Sequence, residues 1–473
     1  MLSFFFFICF ILGIVIGNVL PYIYLWIVLG TLSLIAAYLF YKKEKLFASD
    51  MSFLVFFVFL GSIWISPLNY LEPTKSINRQ GVFSLKVISL PKEGERHQSY
   101  RARLRGFSPS PITVWVRDYS PDEKQYLANY EVGARLTSRE YHHKIFYRLW
   151  IKKDAPVLKL KDPWYTVFLR TVMRGALSSY KKYLSGDAAS LLASVFLGRR
   201  ELLSDDLKTI FKNAGAMHLL AISGLHMGLV SALLFYMLKI FRISYRRRII
   251  ISIVGIFIYT FLVGANPATL RSSIMYSMFG LAFLLKRKTH PLNTLGSAGL
   301  LCLLFYPQWL LEVGFQLSFI AVFGIIFCYR FFKLKITSNN RVWMYIKNIL
   351  FSSLFVNLFI FPLGAYYFGK VTLLGIVANV VLIPLFVSVI CANILFLIFS
   401  PWRAVVWLLG ESLSLLSFLF IRTASFFGAL PFSTIALRFS LGSVGLYYLA
   451  LVVLLGIIHY LAKRGEVRET FPF

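Results

Sequence analysis

The sequence predicts a polytopic α-helical membrane protein carrying one small extracytoplasmic β-barrel domain. Three observations lead there. The 473 residues are 58% hydrophobic with a mean hydropathy of +0.70, above the near-even balance of soluble domains. The apolar residues gather into runs long enough to cross about 30 Å of hydrocarbon as helices. One polar stretch interrupts those runs and carries short alternating segments instead.

The elements follow in order. "LSFFFFICFILGIVIGNVL" is uncharged and lacks both a basic leader and a small-residue cleavage pattern, so it reads as a retained span rather than a signal peptide. With runs near 22–40 and 51–69 it makes three amino-terminal spans within residues 1–69. Residues 70–163 form the outer domain, and 164–216 a mixed, amphipathic approach segment. Runs near 217–241, 249–265, 269–285, 292–306, 312–329, 348–366, 371–398, 404–428 and 440–462 complete about twelve crossings. Residues 217–473 are thus a transmembrane channel domain. Cys9, Cys302, Cys328 and Cys391 lie in or beside apolar runs, so neither a disulfide frame nor a thiolate metal site is indicated. No cofactor or metal is expected.

Lys and Arg number 50 against 20 Asp and Glu, a net charge of +30. With a cytoplasmic amino terminus, the inner short loops collect 19 basic residues, among them Lys42, Lys43, Arg246, Arg247, Arg248 and Lys463. The outer short loops collect two, Lys370 and Arg438. That bias puts both termini in the cytoplasm and the protein in the cytoplasmic membrane. Residues 71–163 then lie outside with 18 basic and 10 acidic residues, a surplus that topology does not require of a long domain.

Within the outer domain, "VFSLKVISL", "SYRARLRGF", "ITVWVRDY" and "VGARLTSREY" read as strands separated by turn-like "SPSP" and "SPDEK". Four or more short strands in so few residues suggest a small barrel, with an oligonucleotide-binding (OB) type as one candidate. Period two puts Arg101, Arg103 and Arg105 on one face, opposite Ala102 and Leu104. Arg117 adds charge on a neighbouring strand, and Trp115 and Tyr119 offer stacking surfaces. A basic face with aromatics suits single-stranded nucleic acid. A merely solvated strand face suits the same residues.

"NAGAMHLLAISGLHMGLVSALLFYML" holds His218, Ser223, Gly224, His226 and Gly228 at the mouth of a span. A continuous helix turns His226 about 80° from His218, broadly to one side. Gly224 and Gly228 form a small-xxx-small pair for close helix packing. Four readings are open: a Ser/His hydrolase with Ser223 as nucleophile and His226 or His218 as base, a histidine metal site, a polar lining or interhelix hydrogen-bonding set in a passage, or histidines simply satisfied within a helix bundle. The hydrolase lacks an acidic residue in the span to orient its base. Two histidines are too few for a metal. A lining is favoured, since ionisable groups at membrane depth tend to face a watery path. Asn266 and Arg271 in "GANPATLRSS", and Glu312 and Gln316 in "LLEVGFQLSF", sit at comparable mouths and extend it.

"FKNAGAMHLLAISGLHMG", "GANPATLRSSIMYSMFGLAFLLKRK" and "EVGFQLSFIAVFGI", in this order and spacing, resemble the core of the ComEC family of DNA-internalisation competence proteins. The resemblance covers roughly residues 185–335, including the weaker "LASVFLGRRELLSDDL", and the later spans by hydropathy alone. It implies an OB-type outer domain ahead of a channel that passes one strand of incoming DNA to the cytoplasm. It places His218, Ser223, Gly224 and His226 on the signature helix, and matches Arg271 and Gln316 to family positions.

The implied partners are single-stranded DNA, the lipid bilayer, an outer DNA receptor, a separate nuclease and a cytoplasmic ATP-driven translocase, with self-association a further possibility. The seven histidines make no H-x-H-x-D-H cluster, so a metallo-β-lactamase-like nuclease is expected on another polypeptide, if anywhere. No G-x-x-x-x-G-K-S/T phosphate loop is present, so energy is expected from elsewhere. A channel rather than an enzyme is therefore expected. An intramembrane Ser/His hydrolase and a repurposed relative moving another polyanion or solute are the rivals.

Overall fold

The computed structural model describes residues 2–19, 29–30, 33, 54–62, 78–331 and 340–464. Short gaps fall at 88, 90–91, 94–97, 106–111, 121–123, 125–127, 142–143, 154, 289, 373 and 432. The run at 22–40 lies almost wholly outside the described residues. Of the run at 51–69, residues 54–62 are described and helical.

After the amino-terminal helix α1 (Leu2–Val19), alternation in the polar stretch builds strands β1 (Asn78–Val87), β2 (Lys92–Glu93), β3 (Gln98–Arg105) and β4 (Ile112–Asp118). β5 (Asn129–Tyr141), β6 (Lys144–Ile151) and β7 (Val157–Lys159) follow. Neighbours run β1-β3-β4-β6-β5, and β5 pairs back onto β1, so five strands close into a barrel. β4 and β6 run parallel and the other pairings are antiparallel. Closure removes the open edges on which sheets aggregate.

Tyr100, Ala102 and Leu104 of β3, Val114 and Val116 of β4, and Leu149 and Ile151 of β6 point inward to one core. β6 is the strand the sequence expectation did not name. "KIFYRLWI" carries large aromatic residues on both faces, Phe146 and Trp150 on one and Tyr147 on the other, which blurs the period of two.

Buried polar groups close one end of the barrel. Asp118 Oδ2 accepts from the Tyr100 hydroxyl at 2.8 Å, and Oδ1 from the Ser120 amide and hydroxyl at 2.9 and 2.6 Å. Lys124 Nζ donates to Ser120 Oγ at 2.9 Å and lies 3.5 Å from Asp118. Burial, reinforced by the Asp118 carboxylate, pushes the Tyr100 hydroxyl pKa well up.

The approach segment is helical, with α2 (Trp164–Tyr183), α3 (Gly186–Val195), a 3₁₀ turn at Arg200–Leu202, and α4 (Asp205–Asn213). α2 buries Leu169, Met173, Ala176 and Tyr180 at spacings of three and four, the stripe of an amphipathic helix. Ser204 caps α4 by accepting from the Leu207 amide at 3.2 Å, and Asp205 and Asp206 complement the dipole of its first turn. Asp162 ties barrel to body: it accepts from Arg170 of α2 at 2.7 Å and from the Asn129 amide of β5 at 3.2 Å.

The body continues with α5 (Met217–Leu220), α6 (Gly224–Ile240), α7 (Tyr245–Leu262), α8 (Pro267–Leu284), α9 (Pro291–Phe305) and α10 (Val313–Phe331). α11 (Arg341–Phe368), α12 (Gly375–Ile398), α13 (Arg403–Ala429) and α14 (Leu441–Arg464) complete it. These last four are long and apolar enough to cross a membrane; α6, α9 and α10 are apolar but shorter. Outward Leu446, Leu449, Val452 and Val453 of α14 are exposed, as surfaces turned to lipid would be. The chain is a membrane protein of mostly helical build with a five-stranded barrel in its amino-terminal region.

Two boundaries differ from expectation. α11 begins at Arg341, where Asn340 Oδ1 accepts from the Val342 and Trp343 amides, so Arg341 and Lys347 ride on its first turns rather than in a loop. More consequentially, the expected span 217–241 is broken between α5 and α6. Ala221 and Ser223 are extended there, and a new helix starts at Gly224.

Candidate functional site

The break creates the site. Because the helix restarts at Gly224, the about 80° relation between His218 and His226 expected of a continuous helix does not hold. The two histidines lie on separate elements instead. His226 is fully buried, edge-on to Phe386 of α12 with ring centroids 4.7 Å apart. Its Nδ1 accepts from the Ser223 amide at 3.1 Å and lies 3.2 Å from Ser223 Oγ. A ring nitrogen engaged with the residue three before it fixes the turn at which α6 begins. His218 is exposed, with Nδ1 3.2 Å from the Gly215 carbonyl oxygen.

Gly215 has φ +70°, and a Cβ there would meet Thr372 Oγ1 at 2.7 Å and Gly375 Cα at 2.9 Å. It therefore lets the start of α12 pack against the chain just before α5. Gly224 faces α8: a Cβ would stand 3.2 Å from Ser272 Oγ and 3.6 Å from Arg271 Nη2. Gly228 has nothing within 4 Å of that position among the described residues. The expected Gly224–Gly228 packing pair is thus corrected to a single close approach, at Gly224.

Arg271 is buried at 6% exposure, with Nε donating to Ser318 Oγ of α10 at 3.0 Å and Nη1 to Met275 Sδ at 3.5 Å. Its guanidinium lies 5.7 Å from the Phe319 ring centroid. Among the described residues no carboxylate lies within 4.0 Å of it. Arg271 thus joins α8, α10 and the start of α6.

The other expected lining residues do structural work. Asn266 caps α8, its Oδ1 accepting from the Thr269 amide at 3.0 Å. Gln316 donates to the Leu310 carbonyl at 2.8 Å and accepts from the Tyr367 hydroxyl at 2.8 Å, tying α10 to α11. Glu312 is exposed ahead of α10, its carbonyl accepting from the Phe315 and Gln316 amides.

On the barrel, exposed Arg101 and Trp115 are cross-strand partners, the guanidinium 5.8 Å from the indole centroid. Arg117 pairs with Trp150 of β6 at 5.2 Å, and Arg148 lies 5.6 Å from the same ring. Arg103 and Arg105 follow Arg101 at period two, in register with Lys86 and Ser84 of β1. Tyr119 sits half-buried past the end of β4. Arg148 and Trp150, which sequence reasoning missed with their strand, double the arginine–aromatic face.

Arg200, also missed, is exposed at the start of the 3₁₀ turn. Desolvation and the like charge of Arg101 hold its guanidinium below the usual arginine range, against the opposing pull of Glu201.

The sequence profile described as "Competence protein" matches residues 195–463, more than half of the chain. The chain belongs to the competence protein family. The matched region spans the break, Arg271 and α10 through α14, and bears out the ComEC resemblance. ComE operon protein 3 of Bacillus subtilis is 29% identical over 203 residues, 43% of this chain and 25% of that protein. Recombination protein 2 of Haemophilus influenzae is 25% identical over 253 residues, 50% of this chain and 32% of its own length. An uncharacterized protein of Aquifex aeolicus is 33% identical over 143 residues, 30% of this chain and 33% of its own. The matches to this competence protein thus span a quarter to a third of these relatives. No solved structure matches it.

Proposed function

We propose that this protein is a cytoplasmic-membrane channel admitting single-stranded DNA during natural transformation. Both termini are cytoplasmic, and the barrel is an OB-type receiver on the outer face. Support comes from membership of the competence family and from relatives named for competence and recombination. One observation carries the reading beyond the family. The barrel's outer face sets Arg101 5.8 Å from the Trp115 ring centroid, and Arg117 and Arg148 5.2 and 5.6 Å from that of Trp150. Such a face offers cationic groups to a phosphate backbone, which binds by counterion release, and aromatic surfaces on which unpaired bases can stack. A receptor outside, a separate nuclease and a cytoplasmic ATP-driven translocase are the partners this role requires.

The Ser223 Oγ–His226 Nδ1 contact at 3.2 Å favours a second reading, an intramembrane hydrolase. Its weakness is that Nδ1 also receives the Ser223 amide, and no carboxylate bonds to Nε2 among the described residues. The deciding experiment follows labelled DNA into a DNase-resistant compartment in cells with and without the gene, with Ser223→Ala alongside. Loss in the null cells supports uptake. A Ser223→Ala variant that imports normally but lacks a hydrolytic activity supports the hydrolase. Normal uptake without the gene refutes the channel.

A further inference from the structure

We infer that the start of α6 and Arg271 together form a binding site for a single phosphate group, filled in turn by phosphodiesters of a passing strand. The identity of the strand rests on the uptake reading; the anion site does not.

Two independent features converge there. The first is the helix start itself. The Ser223 amide is held by His226, and the Met227 amide makes the first helical bond, to the Ser223 carbonyl. The Gly224 and Leu225 amides have no acceptor among the described residues. Such amides, with the positive end of a 17-residue helix dipole behind them, bind anions. Ser223 and Gly224 are half-buried and Leu225 is exposed, so the end is open.

The second feature is Arg271. It is nine-tenths buried, yet its two bonds go to a hydroxyl and a thioether, neither of which offsets its charge. Its Nη2 end has no acceptor among the described residues and stops 3.6 Å from where a Gly224 side chain would begin. A buried cation without a counter-charge is costly, and a helix amino terminus beside it adds repulsion rather than relief. An anion between them would satisfy both. Glycine at 224 keeps that space clear, since any side chain would enter it and crowd Ser272. A guanidinium offers forked donors to phosphate, and broken membrane helices are known to turn such termini toward anionic cargo.

The test uses the full chain in detergent or phosphatidylcholine nanodiscs, with thermal unfolding followed at constant ionic strength. Inorganic phosphate replaces chloride in one arm, and a short oligothymidylate is added in another. Phosphate should raise the wild-type midpoint by several degrees. Arg271→Gln should lose that rise while its midpoint in chloride equals or exceeds wild type, because an unpaired buried charge has gone. Gly224→Ala, which keeps the charge and the Ser318 bond, should bind phosphate roughly tenfold more weakly or worse, the scale of a lost charge-assisted bond.

A midpoint in Arg271→Gln that falls equally with and without phosphate would make Arg271 a structural tie and overturn the site, as would a wild type indifferent to phosphate. Stabilisation on exchange to phosphatidylglycerol nanodiscs, with no response to phosphate or oligothymidylate, would assign the arginine to lipid headgroups and overturn it too. The uptake assay is scored separately. Phosphate binding with normal uptake in null cells keeps the anion site and rejects the strand. Lost uptake in null cells without phosphate binding keeps the channel and rejects the site.

Discussion

Arg170 of α2 donates to Asp162 at 2.7 Å, with both side chains nearly buried, and the same carboxylate accepts from Asn129 of the barrel. One acidic group therefore holds the barrel to the first helix of the body. Replacing Asp162 with Ala should destabilise this joint by about 1.5–3 kcal/mol, the range for a lost hydrogen bond to a charged group, because Arg170 loses its 2.7 Å bond to that carboxylate. In a double-mutant cycle, Asp162→Ala with Arg170→Ala should cost less than the sum of the single losses. Additive losses in thermal unfolding would show that the pair does not couple.

Inside the barrel, Asp118 serves Tyr100, Ser120 and Lys124 at once. Tyr100→Phe removes one acceptor contact and should cost about 1.5–3 kcal/mol, the range for a bond to a charged group. Asp118→Ala should cost more, since Tyr100, Ser120 and Lys124 all lose a contact at once. The Tyr100 hydroxyl is raised in the fold, so its contribution is complete below the unfolded tyrosine value of about 10 and declines as pH climbs above it. Alkaline unfolding of wild type and Tyr100→Phe measures this. Their stability difference should shrink above that pH; a constant difference counts against the assignment.

How much of this was legible in the sequence depends on what each residue answers to. The paired period of Arg101 and Leu104 gave away a half-buried strand, because alternation is imposed by one wet face. β6 gave a weaker sign, with aromatics on both faces interrupting the alternation, so Arg148 and Trp150 went unseen with it. The apolar run 217–241 looked like one helix because hydropathy does not register a break. The break depends on Ser223 and His226 bonding to each other, and "SGLH" is the local signal that a cap, rather than a catalytic pair, would have explained. Asn266 and Gln316 were noticed as polar residues at helix mouths. Only the fold shows that a cap and an interhelix tie consume their side chains.

Gly215→Ala should be among the more damaging single changes in the signature stretch. The left-handed φ of +70° costs an alanine about 1–2 kcal/mol, and its methyl would press on Thr372 and Gly375 at distances no packed atoms tolerate. The effect should appear as lost thermal stability of the full chain. Gly228→Ala, in open space within α6, should be neutral or mildly stabilising. Equal losses in the two variants would mean that the contact between Gly215 and the start of α12 is not what holds the broken helix in place.

The barrel face offers the most direct test of nucleic-acid contact. In a fragment spanning residues 71–163, whose core and buried ion pair are its own, Arg101→Gln and Arg148→Gln should each weaken binding to single-stranded DNA. Each should also reduce the slope of log affinity against log salt by about 0.7, the value for one lost phosphate contact on a single strand. Trp115→Ala should cost about 1–3 kcal/mol with little change in slope, since a stacked base carries no counterion release. Trp150 is a poorer probe, because its indole donates to Thr137 Oγ1 at 3.1 Å and its loss would disturb the barrel wall. Lys153→Gln, in the turn after β6, is the charge-matched control. If that control flattens the slope as much as Arg101→Gln does, the fragment attracts DNA by overall charge alone, and the alternating arginines and tryptophan are simply its wet side.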